Sequence, residues 1–406
     1  MRTNYIKPIL ISCICLAIFI FGEIIIRNFG HYDNDGNFFF YSRKLKPYKI
    51  PIGTIKENID ISLSSPDTCL IYDSELGWAP KPNTKTINGL YDLNTDGIRT
   101  VSVDRSIPRI PDKGVLRIAI FGDSFTFGYE VPYENTWGYY LENYLKSHGM
   151  EAQVLNFGVG GYGFDQAFLR WKKLGYKFSP HIVIFGFQPE NVKRNNNLIS
   201  TLYFQDAVLP FSKPRYILEK DKLRLINSST PDPKEIINIM ENIDSWDLIK
   251  YDYWYKNYQE RICFKSKLVS SISYVIDSVY GLLTQDRYFY DLNKEPAIVS
   301  LKIIRLFKDD VESNGAKFYV VHLPTKFGLK MLLHGKKLYY ADFMDKLEDI
   351  GRFIHTEDAI AGEARKSTLY KVCPRHYSAP TNKIVADIIS KLILKDNPPS
   401  GNKKAQ

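Results

Sequence analysis

The sequence predicts an α/β fold: a three-layer αβα sandwich around a central parallel sheet, with one transmembrane helix at the N-terminus. Three observations support this prediction. Short apolar runs alternate with amphipathic segments from residue 115 onward, a longer apolar run lies near the N-terminus, and 44% of the 406 residues are hydrophobic against 24% charged. This composition is typical of a globular chain, and the alternation is typical of a parallel sheet with helices on both faces.

The apolar run near the N-terminus extends from Pro8 to Ile26 and is broken only by Glu23. A helix of about 17–25 apolar residues spans a bilayer. Arg2 and Lys7 precede the run, so the positive-inside rule places this end in the cytoplasm and the rest of the chain outside. Because no small-residue cleavage site follows, we expect residues 1–27 to be an uncleaved, single-pass anchor in the inner membrane, with the domain on the periplasmic side. A cleaved signal peptide is the alternative.

The rest of the chain divides by composition into three parts. Residues 28–112 are rich in polar and turn-forming residues, and we interpret them as a linker and lead-in segment. Residues 113–396 carry the α/β pattern, which an insertion at about 188–298 interrupts. Residues 397–406 are polar, and we expect them to form a disordered tail.

Within the α/β region, short apolar runs bounded by turn residues predict strands that are buried on both faces. These strands are Val115–Phe121, Gln153–Phe157, Ile182–Phe187 and Ala316–Leu323. Segments with apolar residues at helical spacing predict the covering helices, which are Glu134–His148, Asp165–Gly175, Ile298–Asn314 and Pro380–Leu394. The insertion carries two further amphipathic segments, Lys234–Ile249 and Lys265–Leu283.

The first predicted strand runs directly into Gly122-Asp123-Ser124. In a parallel α/β sheet, sites form beyond the carboxyl ends of the strands, so we expect Ser124 to present a reactive hydroxyl to a cleft. Gly122 permits a tight turn, and the Asp123 side chain can bond backbone amides within that turn. The alternative is that Ser124 only caps the following helix.

The segment from Gly122 to Gly128, Gly-Asp-Ser-Phe-Thr-Phe-Gly, resembles the first block of the SGNH (GDSL-like) hydrolases. The upstream segment from Asn94 to Arg99, Asn-Thr-Asp-Gly-Ile-Arg, resembles a lead-in of membrane-anchored bacterial members, many of which are connected with polysaccharide export or modification. The resemblance covers residues 75–200 and 298–395. It implies a flavodoxin-like fold, Ser124 as nucleophile, and chemistry on acyl esters.

Acyl transfer through serine needs hydrogen-bond donors aimed at the developing oxyanion. The resemblance places one donor at Gly161, in the glycine-rich loop after the second strand, alongside the backbone N–H of Ser124. The family's third block supplies an asparagine side chain after the third strand. Asn191 is the nearest amide here and the favoured donor, although its spacing from Gly186 is longer than in the family. A different alignment puts Glu190 in that place, and Gln188 is a third candidate.

The resemblance implies that His376, just before the last predicted helix, is the general base that activates Ser124. The aspartate that the family carries two or three residues before this histidine is missing, and Cys373 and Pro374 occupy those positions. The group that orients His376 is therefore expected to be a backbone carbonyl or a carboxylate from the preceding segment, such as Asp358 or Glu357.

Other functions find no support in the residue pattern. The formal net charge is +9, but Lys and Arg are scattered and no nucleic-acid motif is present, so we expect no nucleic-acid partner. Histidines, cysteines and carboxylates show no metal-ligand spacing, so we expect no metal and no other cofactor. An exported protein can form a disulfide, and one pair among Cys69, Cys263 and Cys373 is open.

Together these features predict a serine esterase acting on O-acyl, chiefly O-acetyl, esters of carbohydrate outside the cytoplasm. Its expected partners are an acylated carbohydrate or polysaccharide and the membrane that holds the N-terminal helix. Two alternatives stay open. A sugar hydroxyl could replace water as the acceptor, which would make the chain an O-acyltransferase modifying an exported polysaccharide, or the chain could be a catalytically silent, glycan-binding relative.

Overall fold

The N-terminal part of the chain is a long helix followed by a small antiparallel sheet. The computed structural model describes residues 6–65, 67–204, 211–284 and 287–398. After helix α1 (Ile6–Phe29), three short strands pair antiparallel in chain order: β1 (Gly30–Tyr32), β2 (Phe38–Phe40) and β3 (Arg43–Lys44). Within the described residues, Lys7–Phe29 is the one stretch long and apolar enough to cross a membrane, and a signal sequence would meet the same criteria.

The stretch predicted as a linker and lead-in is folded, and part of it belongs to the main sheet. Its elements are α2 (Ile52–Ser64), β4 (Leu70–Asp73), β5 (Gly77–Pro80), β6 (Thr84–Lys85), β7 (Asp92–Leu93) and β8 (Arg99–Thr100). Strands β4 and β5 pair with each other, whereas β6, β7 and β8 extend one edge of the central sheet. This corrects the expectation that the domain begins at residue 113. Strands of two residues are too short for an alternating pattern to reveal them.

The nucleophile segment and the first helices follow in the order that the sequence predicts. The elements are β9 (Leu116–Gly122), α3 (Ser124–Phe127), α4 (Trp137–Ser147), β10 (Ala152–Asn156), α5 (Phe164–Lys173) and β11 (Ile182–Phe187). Each predicted strand here lies within one residue of the observed bounds.

The insertion and the C-terminal half complete the chain. The insertion contains α6 (Glu190–Arg194), α7 (Ser200–Tyr203), β12 (Arg215–Glu219), β13 (Lys222–Ile226), α8 (Pro233–Glu241), α9 (Lys267–Thr284) and α10 (Arg287–Tyr290). The remaining elements are α11 (Glu295–Ser313), β14 (Lys317–His322), α12 (Lys326–Leu333), α13 (Ala341–Glu348), β15 (Arg352–Ile354), α14 (Glu357–Lys366), α15 (Leu369–Val372) and α16 (Ala379–Asp396). Residues 399–406, most of the predicted disordered tail, lie outside the described residues.

The central sheet has the order β15-β14-β11-β9-β10-β8-β7-β6. The strands from β15 to β10 pair in parallel, and β8, β7 and β6 continue antiparallel. The predicted α/β fold with a central parallel sheet is confirmed, and the antiparallel edge is an addition. The chain passes from β9 outward to β10 and then back across to β11, so the strand order reverses beside β9. Ligand sites in such sheets form at this reversal, beyond the carboxyl ends of the strands.

Both faces of the sheet are covered by helices, as its continuously apolar strands require. On one face, Phe121 and Phe185 of the sheet join a buried cluster with Trp171 of α5 and Phe307 of α11. On the other face, a second buried cluster includes Ile120 and Ile184 of the sheet, Trp137 and Leu141 of α4, and Val385 and Ile389 of α16. Adjacent residues of β9 thus point into different clusters, which is the period of two expected of a strand.

The insertion packs with the lead-in instead of extending the sheet. A third buried cluster combines Ile55 of α2, Trp78 of β5 and Tyr162 with insertion residues such as Ile217 and Ile236. The three cysteines considered for a disulfide are all free, with Cys373 buried and Cys263 exposed. None of the disulfides considered among Cys69, Cys263 and Cys373 is formed in this structure.

The first prediction concerns Gly186, which lies opposite Gly122 in the β9–β11 pair. A Cβ at Gly186 would lie 2.2 Å from Thr126 Oγ1 and 2.9 Å from Leu323 Cδ1. Overpacking of this kind typically costs about 1–3 kcal/mol. We expect Gly186→Ala to lower the free energy of unfolding by that amount, measured by urea denaturation of the full chain in detergent.

The matched control is Gly362→Ala in α14, where an added Cβ meets nothing within 4 Å. Replacing this partly exposed helical glycine by alanine should raise the free energy of unfolding by up to about 1 kcal/mol. Thr126→Ala removes the Oγ1 atom that crowds the new Cβ. The double variant should therefore lose less stability than the sum of the losses in the two single variants. Equal stability of Gly186→Ala and the unaltered protein would contradict the steric account.

Candidate active site

The turn that carries Ser124 is shaped by backbone crowding. Gly122 adopts φ +150°, and a Cβ there would lie 2.3 Å from Thr126 Oγ1 and 2.9 Å from the Gly186 carbonyl oxygen. Asp123 then caps helix α3, because its Oδ1 accepts the Phe125 N–H at 2.9 Å. Ser124 is the first residue of that helix and is partly exposed. It therefore stands beyond the carboxyl end of β9, where the strand order reverses.

The second carboxylate oxygen of Asp123 is neutralised by a neighbouring cation. Arg194 Nη1 donates to Asp123 Oδ2 at 2.6 Å, and the Asp123 side chain is fully buried. Burial acts to lower the pKa of Arg194, but the Asp123 charge outweighs it and the pKa is raised above its ordinary value. Asp123 thus supports the turn and is paired, as a buried carboxylate must be.

His376 lies directly beside Ser124 although the two residues are 252 positions apart. Its Nε2 is 3.0 Å from Ser124 Oγ, which is hydrogen-bond distance. The imidazole lies between two rings, with centroid distances of 5.2 Å to Phe125 and 5.6 Å to Tyr129. The loop that carries His376 joins α15 to α16. This geometry is what a serine nucleophile and its general base require.

The carboxylate that faces the other imidazole nitrogen is Glu130, which the sequence did not single out. Its Oε2 is 3.3 Å from His376 Nδ1 and also 3.3 Å from the backbone nitrogen of His376, whose N–H donates to it. The Nδ1 contact is not aligned as a hydrogen bond, so it acts mainly through charge. Glu130 follows the nucleophile helix in a left-handed conformation, φ +69°.

The two carboxylates named from the sequence belong elsewhere. Glu357 lies 2.8 Å from Nδ1 of the buried His322 and 2.7 Å from Nδ1 of His355. Asp358 is the next residue in the first turn of α14. The expectation that Asp358 or Glu357 orients His376 is corrected accordingly, because α14 is fixed to strand β14 through His322 and a different carboxylate approaches the base.

Burial is the main influence on the protonation of His376. It lowers the pKa of the imidazole below its ordinary 6.5, while the charges of Glu130 and Asp123 act in the opposite direction without restoring it. The imidazole is therefore neutral at neutral pH. With its proton on Nδ1, next to Glu130, the free Nε2 can accept the Ser124 hydroxyl proton; this tautomer is inferred from the contacts.

The loop that holds Glu130 is secured by Arg99 of the lead-in strand β8. Arg99 Nη1 donates to the carbonyl oxygens of Phe127 at 2.6 Å and Gly128 at 2.5 Å, and Nη2 donates to Val131 at 2.6 Å. The guanidinium is buried, and burial lowers its pKa to about 10, which leaves it charged at neutral pH. Arg99 thus satisfies the carbonyls on both sides of Glu130 at once.

The glycine-rich loop after β10 offers backbone donors beside the nucleophile turn. Val159 N–H donates to Gly122 O at 3.0 Å, which brings this loop against the end of β9. Gly161 is exposed and adopts φ +81°, a conformation that favours glycine. In the part of the chain that the structure describes, the N–H groups of Gly161 and Ser124 have no acceptor. Both are therefore free to bind an oxyanion.

The side chain of Asn191, which the sequence favours as an oxyanion donor, is already hydrogen-bonded within the protein. Its Nδ2 donates to Tyr162 O at 2.9 Å and contacts Asp123 Oδ2 at 3.4 Å, and its Oδ1 accepts the Gln188 N–H at 2.8 Å. The side chain is fully buried. Because both ends of the amide are already bonded, Asn191 fastens the third loop to the nucleophile turn.

The other two candidates of the third loop differ in what they can donate. Glu190 contacts Lys193 and Tyr203; burial acts to raise its pKa, but Lys193 and its other partners outweigh this and the pKa is lowered. Glu190 is thus an ionised carboxylate and cannot donate. Gln188 Oε1 accepts the Glu190 N–H, whereas its Nε2 donates to no acceptor among the described residues. The unoccupied amide donor at the end of β11 is therefore Gln188.

Comparison with known proteins connects this geometry with a family. A model of the GDSL-like lipase/acylhydrolase family matches residues 118–218, which include the Ser124 turn and the Gly161 loop. Residues 118–218 therefore carry a domain of the GDSL-like lipase/acylhydrolase type. An arylesterase from Vibrio mimicus is 26% identical over 88 residues, a match that covers 20% of this chain and 44% of that protein. The matched segment is thus less than half of that relative.

Solved structures similar to this chain include esterases. One is an acetyl xylan esterase, AlAXEase, at 12% identity and a TM-score of 0.37, covering 68% of this chain and 99% of that one. Another is the esterase EstA from a Pseudoalteromonas species, at 10% identity and a TM-score of 0.34, covering 69% of this chain and 97% of that one.

The sequence alone did not identify the roles of two residues of this site, Glu130 and Gln188. Glu130 comes from the loop after the nucleophile instead of the segment before His376, and only the three-dimensional contact identifies it. Asn191 is the favoured oxyanion donor from the sequence, because a sequence does not reveal which side-chain amide is already hydrogen-bonded in the folded protein. One residue separates Gly186 from Gln188, as one residue separates the glycine from the asparagine in the family's third block. This spacing could have identified Gln188 as the donor.

The second prediction follows from the contact between Glu130 and His376. Glu130→Gln removes the negative charge that opposes the effect of burial, so the pKa of His376 should fall further. The carboxylate is 41% exposed and screened by solvent, so we expect a small decrease in this pKa. NMR titration of the imidazole C–H resonances in the full chain measures this change.

Glu134→Gln is the matched control, because Glu134 is exposed, lies four residues away and undergoes the same change of charge. It should leave the His376 titration unchanged, because solvent and salt screen an exposed charge at this distance. An unchanged His376 titration in Glu130→Gln, or a rise, would show that the carboxylate does not act on the base.

Proposed function

We propose that this chain is a serine esterase that removes O-acyl groups, chiefly O-acetyl, from carbohydrate outside the cytoplasm. The observation that carries the proposal is the 3.0 Å contact between Ser124 Oγ and His376 Nε2. The match to the GDSL-like lipase/acylhydrolase family supports ester chemistry, and the free N–H groups of Ser124 and Gly161 support stabilisation of an oxyanion. Helix α1 supports attachment to the inner membrane, with residues after Phe29 on the periplasmic side.

The proposed reaction begins at the neutral imidazole. His376 Nε2 takes the proton from Ser124, and the Ser124 oxygen attacks the ester carbonyl carbon. Glu130 faces the imidazolium that forms and stabilises its positive charge. The negative charge on the former carbonyl oxygen is held by the N–H groups of Ser124 and Gly161 and by Gln188. Each such donor can contribute about 3–4 kcal/mol to the transition state.

The second half of the reaction returns the proton. The imidazolium gives it to the sugar oxygen as the acyl–oxygen bond breaks, and an acyl group remains on Ser124. His376 then activates a water molecule, which releases the acid and restores the serine. If a second sugar hydroxyl takes the place of water, the same residues perform acyl transfer. The partly exposed Ser124 and the exposed Gly161 support access for a bulky glycan.

The alternative of a silent, glycan-binding relative loses its main argument. The missing aspartate before His376 and the irregular third block favour that reading, but Glu130 supplies a carboxylate from another part of the chain. We accordingly propose residues 70–396 as the catalytic unit, which includes the insertion and strands β4 to β8 of the lead-in, and residues 1–27 as the anchor.

The third prediction tests this function with the full chain in detergent. A fluorophosphonate probe should label the unaltered protein and Ser313→Ala, an exposed serine at the end of α11, but not Ser124→Ala. Hydrolysis of a chromogenic acetyl ester should fall by roughly 10³-fold or more in Ser124→Ala and His376→Ala. Folded protein that neither labels at Ser124 nor hydrolyses the ester would contradict the proposal.

The same assay separates hydrolysis from transfer. A deacetylated oligosaccharide added as acceptor should leave the rate of chromophore release unchanged for an esterase. A faster release, together with an acetylated oligosaccharide detected by mass spectrometry, would indicate the acyltransferase instead.

The fourth prediction concerns the third oxyanion donor. Gln188→Ala should lower kcat about 10²-fold with little change in KM, since the donor acts on charge that develops only in the transition state. Asn191→Ala should chiefly lower the unfolding midpoint, because it removes the bonds to Tyr162 and Asp123. A normal kcat in Gln188→Ala, with a large loss in a fully folded Asn191→Ala, would reverse the assignment.

A further inference from the structure

An apolar stripe on helix α9 has no partner among the described residues. Ile272, Val275, Ile276 and Val279 are exposed at 48%, 57%, 59% and 47%. Residues spaced by three and four positions share one face of a helix, so these side chains form a continuous stripe. Four adjacent aliphatic side chains in contact with water are unfavourable, which indicates that another phase or molecule covers them.

The opposite face of α9 is already used by the protein. Ser270 is buried, the Tyr274 ring lies 5.9 Å from the Arg43 guanidinium of β3, and Asp277 accepts from Lys46 at 2.9 Å. These positions lie on the side of the helix away from the stripe. The small antiparallel sheet that follows α1 therefore fixes how α9 is rotated and makes its stripe face outward.

The stripe continues into the contact between α9 and α1. Leu268 lies on the same helical face as Ile272, and it packs so closely on α1 that a Cβ at Gly22 would lie 3.1 Å from Leu268 Cδ2. The same face of α9 therefore contacts α1 at Leu268 and is exposed from Ile272 onward. We therefore expect the environment next to this contact to be the same for α1 and for the stripe.

Glu23 fixes the beginning of α9 at a definite height along α1. Its carboxylate accepts the N–H groups of Lys267 at 3.0 Å and Leu268 at 2.8 Å, and the Ser266 hydroxyl at 2.8 Å. Glu23 stands six residues before the end of α1 at Phe29, about 9 Å along the helix axis. If α1 spans a bilayer, this height is the boundary between acyl chains and headgroups.

Basic side chains lie at the same height. Arg27 pairs with Glu23 at 2.6 Å and donates to the Lys265 carbonyl oxygen at 2.9 Å. The Lys267 ammonium lies over the Phe38 ring at 4.9 Å. Cations next to an apolar stripe are typical of helices that lie in the interface of a membrane with anionic lipids.

We propose that α9 is an interfacial helix whose stripe enters the outer leaflet of the membrane beside α1, with Arg27, Lys265 and Lys267 at the headgroups. This inference rests on the proposed membrane anchoring by α1. The bilayer would then hold the catalytic unit at two places, and the unit could not rotate freely about a single helix.

The fifth prediction uses tryptophan as a depth probe in the full chain, reconstituted in vesicles of phosphatidylethanolamine and phosphatidylglycerol. The emission of the five native tryptophans is measured on the unaltered protein and subtracted from that of each variant. Ile276→Trp should lose about half of its added emission when the lipids carry bromine near the headgroup end of the acyl chain, and less when bromine lies near the chain terminus. Phe19→Trp in α1 should show the opposite order.

Ile110→Trp is the matched control, since Ile110 is a 75% exposed aliphatic residue of the lead-in, and its added emission should be unaffected by either lipid. Unquenched Ile276→Trp with quenched Phe19→Trp would overturn the interfacial helix and leave the anchor intact. Unquenched Phe19→Trp would overturn the anchor itself. A blue-shifted but unquenched Ile276→Trp emission would indicate a protein partner, such as a second copy, and would also overturn the inference.

Discussion

The position of the nucleophile depends on a crowded contact between the ends of two neighbouring parallel strands. Gly122 of β9 pairs with Gly186 of β11, and Thr126 occupies the space beside both, with no room for a Cβ on either glycine. The backbone can leave β9 only through the positive φ of Gly122, directly into the helix that Ser124 begins. Backbone sterics thus place the hydroxyl, and the base, the carboxylate and the amide donors are arranged around that fixed point.

Two carboxylates lie close to this point, and their surroundings give them different roles. Asp123 is buried and bonded to Arg194, so its charge is largely compensated and it holds the turn. Glu130 is 41% exposed, and its longer contact with His376 leaves most of its charge available to an imidazolium. Burial lowers the pKa of His376 more than the charge of Glu130 raises it, so the base stays neutral at neutral pH. A buried, fully bonded carboxylate would hold the proton on the histidine more firmly.

The sequence predicts those parts of the fold that depend on local pattern. Buried parallel strands such as Ile182–Phe187 are continuous apolar runs, and the order of strands and helices follows from their alternation. The pairing of Ser124 with His376 is implied only by the resemblance to the SGNH hydrolases, because His376 follows no strand and lies in the loop between α15 and α16. Features that depend on contact between distant segments could not be predicted. Glu130 is one of many surface carboxylates until the loop of His376 packs beside it, and Gln188 is distinguished from Asn191 only by which amide is already bonded.

The lead-in supports both sides of the crevice, and this changes what counts as the catalytic unit. Arg99 bonds the carbonyls on either side of Glu130, while Trp78 donates to the Gly160 carbonyl at 3.0 Å and accepts from the Tyr162 hydroxyl at 2.5 Å. One lead-in residue therefore positions the loop of the carboxylate, and another positions the loop of the oxyanion glycine. Neither belongs to the short blocks that carry the nucleophile and the base. A boundary at residue 113 would separate the reacting groups from the residues that hold them in place, so the segment between the membrane anchor and the nucleophile is part of the active-site architecture.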